Sequence, residues 1–344
     1  EFYSTVSKEF SKKKLRLWRD EEPRQASDVD VDVDDESYVV NKYGLFPKPM
    51  DKTQLSSENG RKVLYFFSSL GKFIARALLD SRIIDFNFNP VFLLLIQLLN
   101  TTNGINSTSR TNTLKLSKKM ATISNLRLVD PTLADSLQHL NKYIELFESN
   151  SDIHNVTVDG ARVEDLALFF ELPGNSDYEL IPNGSDTLVT ADNLELYINK
   201  VIEATLFSGI LTQTKAFMDG FSKVFPINSL IIFSSRELVE LFGNAEEDWS
   251  MDTLTSSIVA NHGYTKESEA IKSLIDILMN FSIEEKREFL QFLTGAPKLP
   301  IGGFKALRPE LTVVRKHAED GLKDDDYLPS VMTCANYLKL PNYS

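Results

Sequence analysis

Cys334 is the single cysteine among 344 residues, so the chain carries one thiol able to act as a nucleophile and none to pair with it. An intramolecular disulfide and a cysteine-based zinc site are both excluded. Four histidines are present, His139, His154, His262 and His317. None forms the H-x-x-x-H or H-E-x-x-H spacing that places two imidazoles on one helical face, so no metal site is expected. Gly302-Gly303 lacks the third glycine and the strand-to-helix setting of a phosphate-binding turn. From Asp28 to Glu36 aspartate alternates with valine, a D-x-D-x-D spacing that invites a calcium reading. The glycine and distal glutamate of an EF-hand loop are missing, and a solvated acidic loop or edge strand is the better account. Covalent chemistry therefore rests on Cys334. Taken alone it reads either as a small buried hydrophobe or, because it lies between Pro329 and Pro341 on a stretch read as irregular, as an exposed reactive thiol.

Composition narrows the partners. Lys plus Arg total 37 against 49 Asp plus Glu, a formal charge of −12, the wrong sign for nucleic acid or an anionic membrane surface. The longest near-apolar run, Val91 to Leu99, is interrupted by Gln97 and falls short of the roughly 20 residues a bilayer requires, so a soluble protein is expected. Residue 1 is Glu1 and no signal peptide follows, so the sequence reads as a piece of a longer protein. A lone thiol indicates a reducing compartment, and triplets such as Asn106-Ser107-Thr108 and Asn183-Gly184-Ser185 are chance products of polar loops.

The elements that must position the thiol follow from periodicity. At about 150 residues per domain the length suggests two domains. Apolar residues from Val63 to Leu78 recur at helical steps over 61–80, and a second helix begins near Pro90 and runs to about Leu99. Residues 100–117 read as a polar connection. Leu133, Leu137, Leu140 and Tyr143 mark a helix over 133–147; 163–172 reads as a strand, and 177–189 as a strand pair split by Asn183-Gly184. Thr190 is the expected N-cap of a helix over 194–218. Gly243-Asn244 after a helical segment reads as a C-cap running into an acidic linker, the domain boundary. Beyond it, 268–280 and 283–293 read as helices, Ser282 and Glu285 forming a capping box at the second. Residues 311–315 and 331–333 are strand candidates in a small α/β unit.

Leu328-Pro329, Thr333-Cys334, Asn336, Leu338, Leu340-Pro341 and Tyr343 together resemble the active-site signature of HECT-type ubiquitin ligases. The likeness continues in Gly44-Leu45-Phe46-Pro47, Leu70-Gly71-Lys72, Gly220-Phe221, and Gln291-Phe292-Leu293-Thr294-Gly295 with Leu299-Pro300 and Gly302-Gly303-Phe304. Residues 331–341 look most like the branch acting in ubiquitin-fusion degradation. The resemblance implies an α+β fold of two lobes. Residues 1–243 would form a larger, mostly helical N-lobe with an inserted E2-binding subdomain at about 120–200. Residues 244–247 would be a hinge, with Gly243, Asn244, Ala245 and Glu246 as its residues, and 248–344 a small α/β C-lobe lacking the family's C-terminal tail.

It further implies that Cys334 accepts ubiquitin as a thioester from an E2 ubiquitin-conjugating enzyme, with Thr333 in support, and passes it to a lysine of a substrate protein or of ubiquitin, marking targets for proteasomal degradation. A thiolate suits this exchange because one thioester replaces another at little energetic difference. No cofactor is needed, and cytoplasmic or nuclear residence is expected. E2 contact is implied for Leu133, Ser136, Leu137, Leu140, Tyr143, Leu168 and Tyr197; the alternative, that these side chains pack the subdomain's own core, stays open. Met332 stands where many relatives carry a histidine, so no adjacent imidazole orients the attacking lysine. Without the tail, charging is expected to outpace transfer. Two other function classes stay open: a cysteine hydrolase pairing Cys334 with His262 or His317, and a catalytically silent E2-binding scaffold.

Overall fold

The computed structural model describes residues 2–20, 37–39, 41–80, 84, 86–101, 110–150, 152–244, 247–300, 302–318 and 323–343. The acidic run at 28–36, Asn106-Ser107-Thr108, and Ala245 and Glu246 of the expected hinge lie outside these residues. The chain divides into two compact units, one of Phe10–Arg76 with Asn87–Val239, the other of Glu1–Glu9 with Ala77–Phe86 and Glu240–Ser344. Helix and sheet are mixed, as an α+β fold requires. Among the described residues, no helix is long and apolar enough to cross a membrane.

The chain opens with α1 (Phe2–Glu9), α2 (Lys52–Ser56), α3 (Glu58–Leu79) and α4 (Pro90–Thr101). Pro90 opens α4 as expected, because its missing N–H is an orphan at that position anyway. Val91, Phe92, Leu93, Leu95, Ile96, Leu98 and Leu99 are all buried; a helix apolar on every face belongs at the centre of a core. Aromatic rings pack around it edge to face, Trp18 on Phe67 at 5.3 Å and Phe92 on Phe217 at 5.8 Å. Asn89 supplies the buried polar tie. Its Nδ2 donates to the carbonyls of Tyr43 at 2.8 Å and Leu128 at 2.7 Å, and its Oδ1 accepts from the Val91 N–H at 2.9 Å.

Five sequence expectations in this unit are corrected. Residues 110–117 are not a polar connection but belong to α5 (Arg110–Met120); Leu116 and Met120, one turn apart, are buried and anchor it. After α6 (Ile123–Val129) and α7 (Pro131–Phe147), the strand expected at 163–172 is a 3-10 turn at Glu164–Leu166 followed by the short β1 (Glu171–Leu172). β1 pairs with β2 (Asn175–Glu179) around Gly174, whose φ of +76° allows the tight turn. Asn183 in the left-handed region opens a 3-10 turn at Gly184–Asp186 instead of a hairpin. The long helix expected from 194 to 218 is α8 (Leu194–Glu203), then a π-helical segment at Ala204–Ser208, then α9 (Leu211–Ser222). Its N-cap position is Asn193, not Thr190, although Asn193 Oδ1 does accept the Thr190 N–H at 2.9 Å. Helical periodicity persists through such an insertion, so the sequence alone reads as continuous.

α10 (Ser235–Val239) runs into a π-helical turn at Glu240–Asn244, so Gly243 and Asn244 belong to the helical path and not to a C-cap. The second unit then contains α11 (Met251–Ser257), β3 (Val259–Asn261), α12 (Glu269–Met279), α13 (Ile283–Thr294), β4 (Thr312–Lys316), β5 (Ser330–Met332) and β6 (Tyr337–Pro341). The expected capping box is present. Ser282 Oγ accepts from the Glu285 N–H at 3.2 Å and the Glu285 carboxylate accepts from the Ser282 N–H at 2.7 Å, while Gly295 closes α13 in the left-handed region. The sheet order is β3-β4-β6-β5. β4 runs parallel to both β3 and β6, and β5 runs antiparallel to β6. Ile271, Ile275, Leu278, Leu290 and Leu293 from the helices meet Val313, Leu338 and Leu340 from the strands in one buried cluster.

Candidate active site

β5 and β6 form a hairpin whose last pair is Met332 opposite Tyr337. Residues 333–336 are its loop. The irregular stretch read around Cys334 is thus a built turn, a 3-10 segment at Thr333–Ala335 closed by Asn336 at φ 48°, ψ 45°. Asparagine is one of the few residues that enters this left-handed region readily. β6 is flanked on both edges, with Leu338 and Leu340 buried beneath it, so the loop rises from a fixed base. α13 packs against both the turn and β5.

Cys334 sits in the middle of that turn and is exposed, which removes the buried-hydrophobe reading. Beside the turn Met332 is 47 % exposed, while Leu328, 80 % exposed, and Tyr343, 45 %, lie at the other, open end of the hairpin. The segment leading into β5 is tied down from two sides. Lys316 Nζ donates to the Leu328 carbonyl at 2.9 Å and lies 5.3 Å from the centre of the Tyr327 ring, and the Tyr343 hydroxyl donates to the Tyr327 carbonyl at 2.8 Å. Burial raises the Tyr343 hydroxyl above the ordinary phenol range, with Asp325 adding to it, so the group stays a neutral donor. The Thr333 carbonyl accepts the Asn336 N–H at 3.4 Å.

The sheet register separates the thiol from His262 and His317. Cys334 precedes the first residue of β6, where Tyr337 pairs with Thr312. His262 follows the last residue of β3, and its carbonyl accepts the N–H of Arg315, which pairs with Leu340. Tyr337 to Leu340 alone spans about 10 Å of strand. His317, beyond the end of β4, lies at the same far end. Among the described residues, no group of three His, Cys, Asp or Glu side chains is placed to hold a metal ion.

The residues expected to meet an E2 lie on a subdomain led by α7. Asp130 caps that helix by accepting the Leu133 N–H at 2.9 Å, and its other oxygen pairs with Arg19 at 2.5 Å. Leu133, Leu137, Leu140, Tyr143 and Tyr197 are buried, with Tyr143 1 % exposed. The Tyr143 hydroxyl donates to the Ala161 carbonyl at 2.8 Å, and Tyr197 packs edge-on against Phe170 at 5.5 Å. Burial raises both hydroxyls above the ordinary phenol range. All five are therefore buried within the subdomain; Leu168 is half-buried, and Ser136 is exposed. Exposed apolar side chains that sequence reasoning passed over lie on the same subdomain. Phe169 and Leu188 face each other across a β-bridge, 40 % and 37 % exposed, and Leu196, next to Tyr197, is 48 % exposed. The signal was present in Phe169-Phe170, since alternate residues of an extended segment point to opposite faces.

Comparison with known proteins adds a match to the family model described as HECT-domain (ubiquitin-transferase) over residues 4–344. The chain is 48 % identical over its whole length to the ubiquitin fusion degradation protein 4 of Saccharomyces cerevisiae, covering 21 % of that protein. It is 45 % identical to a probable ubiquitin fusion degradation protein of Schizosaccharomyces pombe, covering 18 % of it. Against the E3 ubiquitin-protein ligase TRIP12 of Danio rerio the identity is 38 % over 357 residues, covering 17 % of the relative. The chain spans about a fifth of the length of the curated relatives it matches.

Proposed function

As the chain belongs to the HECT-domain (ubiquitin-transferase) family, we propose that it is the catalytic part of an E3 ubiquitin ligase working through a thioester on Cys334. The observation that carries this is an exposed thiol at the tip of a hairpin whose strands are rooted in a core. In the first step the Cys334 thiol gives its proton to solvent and the thiolate attacks the carbonyl carbon of the thioester joining E2 to the ubiquitin C-terminus; the E2 thiolate leaves and takes up a proton from solvent. In the second, a lysine amine attacks the new thioester, the Cys334 thiolate leaves, and an isopeptide bond forms with its surplus proton passed to solvent. Both steps are acyl transfers from an activated carbonyl, so no further energy source is required.

The E2 would dock on the subdomain led by α7, with Ser136 and Leu168 accessible and Phe169, Leu188 and Leu196 offering apolar area beside them; Leu133, Leu137, Leu140, Tyr143 and Tyr197 would shape that surface from beneath. Residues Gly243, Asn244, Ala245 and Glu246 would act as the hinge. Chain building for proteasomal degradation of the ubiquitin-fusion type, with a substrate protein as acceptor, and residence in cytoplasm or nucleus belong to the same proposal. A hydrolase pairing Cys334 with His262 or His317 is disfavoured, because the register holds both away from the thiol. Incubation with E1, E2, ATP and ubiquitin should give a thiol-sensitive adduct on a non-reducing gel that Cys334→Ala abolishes. Release of free ubiquitin without an adduct would favour the hydrolase, and absence of both with any E2 would leave the scaffold.

A further inference from the structure

We infer that Asn336 is a positioning residue for the Cys334 nucleophile, an inference that rests on the reading of Cys334 as the acceptor thiol. Its backbone and side chain together make three hydrogen bonds. The N–H closes the turn onto the Thr333 carbonyl at 3.4 Å, and its carbonyl accepts the Thr312 N–H at 3.0 Å. The Nδ2 donates to the Pro309 carbonyl at 2.6 Å. Asn336 itself is buried, 7 % exposed, in contrast to Cys334 two residues earlier.

The magnitudes indicate which of these bonds fixes the thiol. The turn's own closing bond is long, and a single-turn 3-10 segment has little stability by itself. The two short bonds run instead to residues 309 and 312, the lead into β4, which lies within the sheet. The nucleophile's turn is therefore referenced to the core through Asn336. Only the side-chain bond depends on residue type beyond the left-handed backbone. Glycine reproduces the backbone and removes the tie. Aspartate keeps the shape, but its ionised carboxylate has no proton to donate to the Pro309 oxygen. Reactive groups must meet within a few tenths of an ångström, and displacement by about 1 Å can cost about 100-fold in rate. A turn released from Pro309 should still expose the thiol while holding it less often in the attacking orientation.

The experiment compares wild type, Asn336→Gly and Asn336→Asp in single-turnover transfer of ubiquitin from a preformed E2 thioester, at a temperature where circular dichroism shows each to be folded. We expect the maximal rate of Cys334 charging to fall about tenfold or more in both variants. The half-saturating concentration of charged E2 should stay within about twofold, and total alkylation of Cys334 by iodoacetamide should remain complete. Maximal rates within twofold of wild type would overturn the inference, as would loss of cooperative melting in both variants, which would make Asn336 a folding residue. Failure of the wild type itself to form the adduct would instead remove the reading of Cys334 as acceptor.

Discussion

Gly220 of α9 and the Ser68 carbonyl of α3 are in backbone contact: a Cβ on Gly220 would lie 1.9 Å from that oxygen. Gly71 on α3 meets α9 in the same way, 2.1 Å from the Phe217 carbonyl. Two helices approach this closely only where neither presents a side chain. The glycines in Leu70-Gly71-Lys72 and Gly220-Phe221 thus have a packing reason. Gly220→Ala should destabilise the chain by about 3 kcal/mol or more, since the clash is with backbone and cannot be relieved by a rotamer change. Urea unfolding would measure it, and a loss below about 0.5 kcal/mol would contradict the crossing geometry.

Asp130 serves α7 twice, and two substitutions separate the roles. Asp130→Asn keeps an oxygen for the Leu133 N–H but drops the ion pair with Arg19, whose side chain is 20 % exposed. Asp130→Ala removes both. The second variant should be less stable than the first by about 1 kcal/mol, the usual worth of a helix N-cap. Equal melting points would show that the cap contributes nothing.

Core packing and partner contact predict opposite outcomes on the subdomain. Leu137, 2 % exposed, should cost about 2–5 kcal/mol on Leu137→Ala through the cavity it leaves. The double variant Phe169→Ala, Leu188→Ala should change stability by less than about 1 kcal/mol, because both side chains are partly in water. Its E2 affinity, read by titration calorimetry, should fall about tenfold or more if the pair forms the docking surface. Unchanged affinity would move the E2 contact elsewhere.

Much of the second unit is legible in the sequence alone: the helices at 268–280 and 283–293, the Ser282–Glu285 box and the strand at 311–315 all rest on local signals of capping and period. β3 and β6 are not, because Val259–Asn261 is too short to show alternation and Tyr337–Pro341 ends in a proline, which reads as loop. The π-helical segments escape for a different reason, since one extra residue per turn leaves the apolar spacing nearly intact. Cys334 stands out by its uniqueness and its neighbours. Asn336 as its anchor does not, because the partner carbonyl belongs to Pro309, 27 residues away.

A pH dependence follows from Glu164. Its carboxylate accepts the Ala191 N–H at 3.0 Å, and that bond holds it below the ordinary carboxylate range. A group depressed on folding adds stability above its unfolded pKa, about 4.3, and loses it as pH falls through the lower folded value. Protection of the Ala191 amide against hydrogen exchange should therefore drop below about pH 4 in the wild type. In Glu164→Gln, whose amide oxygen accepts at any pH, the drop should be absent; parallel profiles would assign it to other groups.

The central claim is that the Cys334 sulfur itself carries ubiquitin. The most direct measurement is the intact mass and chemical lability of the ubiquitin adduct formed by wild type, Cys334→Ser and Cys334→Ala with the same charged E2. The wild type should carry one ubiquitin released by thiol, Cys334→Ser one resistant to thiol but released by mild alkali as an oxygen ester, and Cys334→Ala none. A wild-type adduct that resists thiol, or any ubiquitin adduct retained by Cys334→Ala, would place the acceptor elsewhere and contradict the account.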